Sequence, residues 1–258
     1  MLLQGKNAIV YGTGGLGAGV ARAFAAEGAR VFVAGRTARA VLGVVAAITA
    51  DGGTAEGTIL DVLDEDAVEE HVAHVVAEAG TVDVSLNLTS REDRQGTPLI
   101  EMDVEALTRG PRTALTAQFV TARAAARRMV AQGSGAILAV TSGTARSPSA
   151  GMGNTGPADA AVEVLLRTLA AEVGPSGVRV VGVHTAAVAE TLSRERILEV
   201  SGQDVDPADV VRAVAGRATL RRAPVLADVA GTLAFLASDR AAGITGTTVN
   251  VTCGLVAD

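Results

Sequence analysis

Short runs of β-branched and aliphatic residues alternate with longer alanine-rich amphipathic stretches along the whole chain, and this alternation restricts the fold more than any other feature. Strand-like runs fall at Asn7–Tyr11, Arg30–Ala34, Gly57–Leu60, Val82–Asn87, Ala136–Thr141, Val178–Val183 and Thr247–Val251. Helical patterns lie between them at Leu16–Glu27, Ala38–Ala50, Glu65–Ala79, Arg112–Ala131, Ala160–Val173 and Leu226–Ser238. Apolar strands each followed by a helix predict a parallel sheet buried on both faces. Right-handed crossovers make it a doubly wound (Rossmann-type) α/β sheet of about seven strands, in one domain spanning residues 1–258. Residues 186–220 are the least regular stretch. They are charged, carry one proline (Pro207), and are expected to pack over the sheet edge as a substrate lid.

Composition narrows the function classes. Hydrophobic residues make up 48% of the 258 residues and aromatics only 2%, so the core is aliphatic. A net charge of −6, with so few rings for base stacking, argues against a nucleic-acid surface. The single cysteine, Cys253, excludes an internal disulfide and suits a reducing compartment. The chain opens into a strand without a basic-then-apolar leader and has no apolar run of bilayer length, so a soluble cytoplasmic protein without membrane contact is expected.

Gly12-Thr13-Gly14-Gly15-Leu16-Gly17 fits G-x-G-x-x-G directly after the first strand and at the start of a helix. Gly12, Gly14, Gly15 and Gly17 permit a tight turn and close backbone approach, and the helix offers free N–H groups to a pyrophosphate. A second match, Gly151 to Gly156, follows a Ser-Pro-Ser loop and reads as a flexible connection before a helix. Strand two ends in Gly35-Arg36-Thr37, without a carboxylate for a ribose 2′-OH. Arg36 offers a fork to a 2′-phosphate, which favours NADP over NAD, although a surface arginine at a helix start is the plainer alternative. Asp61, Val62 and Asn87 fall at carboxyl ends of strands, where such sheets bind ligands.

These features together resemble the short-chain dehydrogenase/reductases over nearly the whole length. The likeness continues through Gly135–Ser142, Ala160–Glu163, Leu169–Glu172 with Gly177-Val-Arg179, Phe235–Asp239, Ile244-Thr-Gly246 and Val251–Gly254. The resemblance implies a nicotinamide dinucleotide, with Asp61-Val62 beside the adenine, and a small-molecule substrate. It also implies assembly as a homodimer or homotetramer through the two long helices and the last strand.

The departures from that family pattern concern the chemistry. The Gly-rich turn is one residue shorter than the family's T-G-x-x-x-G-x-G, and Asn-Asn-Ala-Gly has become Asn87-Leu88-Thr89-Ser90. Ser142 matches the family's catalytic serine, but the tyrosine position holds Thr155 and the lysine position Asp159. The assisting asparagine is matched by Ala114, and Pro-Gly by Thr185-Ala186. Tyr11 and Lys6 are the only tyrosine and lysine in the chain, and both lie in or beside the first strand. An aliphatic hydroxyl at Thr155 is too weak an acid to replace a phenol, and Asp159 reverses the sign of the helping charge. Losing such a group costs ~10²–10⁴ in rate, so standard carbonyl reduction is expected to be close to absent.

The candidate catalytic set is therefore Ser142, His184, Thr155 and Asp159. Ser142 reads equally as a hydroxyl satisfying local backbone, His184 as a packing histidine and Asp159 as a carboxylate favouring a helix dipole. His71 and His74, with Glu70 and Glu78, suit a solvated acidic helix face better than a metal site, so no metal is expected. Arg91-Glu92-Asp93-Arg94 reads as a charged surface loop. Tyr11 is expected to pack at the end of its strand, with the cofactor pyrophosphate within its reach.

Two functions follow from these residues. One is an atypical NAD(P)(H)-binding enzyme, with a substituted proton path or a non-redox step such as cyclisation, dehydration or isomerisation. Leu192, Ile197 and Leu198 in the lid permit a hydrophobic substrate. The other is a catalytically silent subunit or sensor, pairing with an active homologue as a hetero-oligomer or having lost the cofactor altogether.

Overall fold

The computed structural model describes residues 1–257. Seven parallel strands form one sheet: β1 (Asn7–Tyr11), β2 (Arg30–Gly35), β3 (Thr54–Ile59), β4 (Val84–Asn87), β5 (Gly135–Ser142), β6 (Val178–Thr185) and β7 (Thr247–Val251). Their spatial order is β3-β2-β1-β4-β5-β6-β7. The order reverses between β1 and β4, and such a reversal opens a crevice at the carboxyl ends of the strands.

Strand periodicity divides the core into two layers. Ile9 and Tyr11 of β1, with Phe32 and Ala34 of β2, face α3 (Glu65–Ala79), α4 (Val104–Gln132) and α5 (Thr155–Val173). Ala8, Val10, Val31 and Val33 face α1 (Gly15–Ala26), α2 (Ala38–Ala50) and α8 (Leu226–Ala237). Because side chains alternate every residue, this register sends Tyr11 into the α3 layer, away from the Gly-rich turn. No described helix is long and apolar enough to cross a membrane.

Two elements depart from the sequence expectation. The long helix begins at Val104, two turns before the expected Arg112, and carries Pro111 within it. The Asp103 carboxylate accepts the Ala106 N–H at 2.7 Å, and this cap starts the helix upstream of the proline. The segment 186–220 is largely helical rather than irregular. Ser193 caps α6 (Arg194–Ser201), and Asp206 caps α7 (Pro207–Arg217), with Pro207 in the first turn where its missing N–H costs nothing. The segment lies over the carboxyl ends of the strands: Gln95 N–H, beyond β4, donates to the Val200 carbonyl at 2.9 Å.

Candidate functional site

The Gly-rich turn is shaped by backbone crowding. Gly12 leaves β1 at φ +110°, and a Cβ there would lie 2.6 Å from the Leu88 carbonyl oxygen. A Cβ on Gly17 would lie 2.2 Å from the Gly12 carbonyl oxygen, so both positions need glycine. Gly14, at the N-cap of α1, has open space above it, no side chain caps the helix, and its first turn carries no acid. Ala18 N–H reaches the Gly14 carbonyl at 2.8 Å. The N–H groups before it, and the positive end of the helix dipole, fit the pyrophosphate of a dinucleotide. Across the turn, a Cβ on Gly15 would meet Thr191 Cα of the segment 186–220 at 3.2 Å.

At the carboxyl ends of β2 and β3, the Arg36 side chain is 72% exposed, and its nearest acid is Asp61, at 4.0 Å. Asp61 Oδ1 accepts the Leu63 N–H at 3.0 Å, while Val62 is buried. At the other end of the turn, Asn87 Oδ1 accepts both the N–H and the hydroxyl of Thr89, at 3.0 and 2.8 Å. Asn87 thereby fixes the bend that leads out of β4.

Beyond Asn87 a cleft of about 250 Å³ opens over β4, β5 and β6. Arg91, Ser142, Ala114, Thr141 and Thr185 are among its walls. Ser142 Oγ donates to Asp159 Oδ2 at 2.5 Å. The other Asp159 oxygen takes Arg91 Nη1, and Arg91 Nη2 reaches Asp93 Oδ2 at 3.2 Å. Asp159 is fully buried, and the Arg91 side chain is only 20% exposed. Burial raises the Asp159 pKa above the ordinary carboxylate range, outweighing the opposing pull of Arg91 and Ser142. Burial alone would lower the Arg91 pKa, but Asp93 and Asp159 together raise it, so the guanidinium stays charged.

The loop carrying Arg91 forms a strap. Asn154, fully buried just before α5, accepts the Arg94 N–H at 2.8 Å and donates to the Ala106 carbonyl of α4 at 2.8 Å. Gln95 Nε2 donates to Thr155 Oγ1 at 3.1 Å. A Cβ on Gly153 would fall 1.8 Å from the Arg94 carbonyl oxygen, so the second glycine motif serves as the seat of the strap. On its outer side, Arg94 Nη1 reaches the Glu199 carbonyl at 3.1 Å, and Arg196 of α6 reaches Ser90 Oγ at 3.2 Å.

The expected site residues therefore divide. Gly12, Gly14, Gly15, Gly17 and Asn87 gather along one edge, with Ser142 in the cleft and Asp159 directly behind it. Thr155 is buried under Gln95 and His184 is fully buried, and neither lines the cleft. His184 Nδ1 meets Thr141 Oγ1 at 2.9 Å and lies 3.5 Å from Glu163 Oε1, because its place in β6 points it toward α5. Two expectations for α3 and β1 also change. His71 is 3% exposed and packs edge-on against Tyr11 at 5.8 Å, so it faces the core and not solvent. Tyr11 is buried with its hydroxyl unpartnered among the described residues, and burial, then Glu69, raises its pKa. No group of three or more His, Cys, Asp or Glu among the described residues is arranged to hold a metal ion.

The sequence reading treated Arg91 as part of a surface loop, yet it is the cation of the site. Its partner lies 68 residues away, so no local pattern announces it. The available signal was Asp159 itself: a carboxylate on the inner face of a core helix calls for a buried cation.

A family model described as enoyl-(acyl carrier protein) reductase matches residues 10–256. The chain is 36% identical to the short-chain reductase protein NovJ of Streptomyces niveus, over 97% of this chain and 94% of that one. It is 33% identical to an L-rhamnose 1-dehydrogenase (NAD(P)(+)) of Azotobacter vinelandii, over 99% and 98%. The crystal structure of an actinorhodin polyketide ketoreductase variant with NADPH superposes with a TM-score of 0.85 at 26% identity, covering 97% of each chain.

Proposed function

The chain belongs to the short-chain dehydrogenase/reductase family, and from that premise we propose that it binds NAD(P)(H), with NADP(H) preferred, and acts as an oxidoreductase on a small molecule without a tyrosine–lysine pair. The observation that carries this reading is the pairing of an open nucleotide cradle at Gly12–Gly17 with the buried Arg91–Asp159–Ser142 array beside it. The dinucleotide would supply hydride exchange at the cleft. The α1 N-terminus would hold its pyrophosphate, Arg36 its 2′-phosphate, and Ser142 would meet the substrate oxygen. Ser142 spends its one proton on Asp159, so it is no ready donor to a carbonyl. The family's usual reduction is accordingly expected to be nearly silent.

Titration with NADPH and NADH, followed by nicotinamide fluorescence and calorimetry, tests the reading. Binding of NADPH tighter than NADH, with Arg36→Ala narrowing the difference, supports it. Failure of both nucleotides to bind would refute it.

A second reading, a silent subunit, draws on the outer faces of α4 and α5. They leave Leu115, Phe119, Val130 and Val164 exposed, a surface suited to a like or related chain. A monomer at micromolar concentration that recovers no related chain on co-expression would count against it.

A further inference from the structure

Resting on the reading that the cleft binds a nicotinamide dinucleotide, we infer that Ser142 and Asp159 form a two-step proton path, and that this path runs toward oxidation of an alcohol. The geometry gives the direction. Ser142 Oγ stands in the cleft wall with its proton already aimed at Asp159 Oδ2, 2.5 Å away. Arg91 on the other carboxylate oxygen favours the ionised acceptor, the form that takes a proton. Thr144 Oγ1, 2.7 Å from Ser142 Oγ, is a rotatable hydroxyl that can turn aside for a substrate hydroxyl.

The chemistry makes a carboxylate sufficient in this direction. The oxidised dinucleotide, held at the Gly12–Gly17 turn, would supply the acceptor for the hydride, with its electron pair, leaving the alcohol carbon. As that C–H bond breaks, the substrate oxygen becomes electron-poor and its proton strongly acidic. That proton passes to Ser142 Oγ, the O–H pair becomes the carbonyl π bond, and the proton of Ser142 passes to Asp159 Oδ2. The products are a carbonyl, the reduced dinucleotide and a protonated Asp159, which then loses its proton to solvent. The reverse reaction needs Asp159 protonated beside Arg91, a form the guanidinium disfavours.

The charges around Asp159 are few. The strap presents Arg91 and Asp93. Asp159's own helix presents Glu163 one turn on, with Arg146 at 3.5 Å, Arg167 at 3.8 Å and His184 at 3.5 Å from it. From α4 only the uncharged Ala114, Ala117 and Gln118 reach the cleft. The raised pKa of Asp159 makes it a stronger base than an exposed carboxylate, as this role requires.

The test has two independent readouts. In the nucleotide-free protein, the Asp159 carboxyl is followed by ¹³C NMR as pH is varied. Ser142→Ala removes a hydrogen bond to the ionised form and is expected to raise the midpoint by ~1 unit. An unchanged midpoint would overturn the pairing. In turnover, secondary alcohols including cyclohexanol and L-rhamnose are offered with NADP+ and with NAD+. The wild type is expected to oxidise at least one, with kcat falling as pH drops through the Asp159 midpoint. Asp159→Asn is expected to lose ~10²–10⁴ in kcat and that acid limb, with NADPH affinity unchanged. Ser142→Ala, which leaves the Arg91–Asp159 pair in place, should lose a similar factor and guards against misfolding of Asp159→Asn. Wild-type kcat in Ser142→Ala, or no oxidation of any alcohol by nucleotide-bound wild type, would overturn the inference while the cofactor reading stands. Absence of nucleotide binding would instead remove the reading beneath it.

Discussion

Replacing Arg91 by methionine isolates the energetic core of the site. Asp159 is fully buried, with Arg91 and Ser142 as its partners. Without the guanidinium, the buried carboxylate keeps only Ser142 as a partner, and Asp93 loses its partner as well. Breaking a buried ion pair from one side costs about 3–5 kcal/mol. For a domain of this size that corresponds to a fall in Tm of ~6–20 °C. The sign of the pH dependence follows from Asp159. Removing the cation raises its folded-state pKa further above the unfolded value, so the penalty is present at neutral pH. It shrinks as pH falls and the carboxyl protonates. Urea unfolding at pH 7.5 and pH 5.5 measures both effects, and Arg91→Met/Asp159→Leu, with no buried charge left on α5, should recover most of the loss. A cost for Arg91→Met below about 1 kcal/mol, or a double variant no more stable than the single, would refute this account of the site.

Three further outcomes are expected. His71 is held neutral, its pKa lowered to about 4 by burial and then by His74, with Glu56 opposing. The folded state therefore binds fewer protons than the unfolded below pH 6.5, and stability should fall by about 2 kcal/mol at pH 5 and about 3 at pH 4. His71→Leu should flatten that slope in a pH series of urea midpoints, and an unchanged slope would dismiss the histidine as its source. Tyr11→Phe removes a buried hydroxyl without a partner among the described residues and should be neutral or stabilising by up to ~1 kcal/mol, with turnover unaltered; a collapse in kcat at constant KM would contradict the placement of the ring. Gly17→Ala puts a Cβ 2.2 Å from the Gly12 carbonyl oxygen and should abolish nucleotide binding in calorimetry and lower Tm, whereas Gly14→Ala, whose Cβ meets no protein atom but enters the space read as the pyrophosphate seat, should weaken binding with Tm unchanged.

The parallel sheet was legible because its strands are continuous apolar runs and its helices carry a clean 3.6-residue period. The Gly-rich turn was legible for a similar reason: its spacing is a local steric requirement. Boundaries set by caps were not visible in the apolar pattern, so Asp103 carried α4 past Pro111, and Ser193 and Asp206 built helices where irregular chain was expected. Within the cleft region, the sequence positions of Ser142 and Asp159 bring the two side chains into contact. The burial of His184 and Thr155 away from the cleft was not legible, because nearness along the chain does not fix which way a side chain points. The roles of Arg91, Gln95 and Asn154 depend on contacts across about 60 residues or more, which periodicity does not encode.

The strap also bears on how this protein could change. Reinstating a phenol–ammonium pair by Thr155→Tyr and Asp159→Lys would need more than the two substitutions. A ring at 155 has no room beneath Gln95, and an ammonium at 159 would face the Arg91 guanidinium, cation against cation, in a buried space. Installing the pair therefore requires Arg91 to be replaced and the strap to be reseated in concert, and each step alone passes through a less stable protein. The Arg91–Asp159 link thus opposes any two-residue conversion of this site to a phenol–ammonium pair.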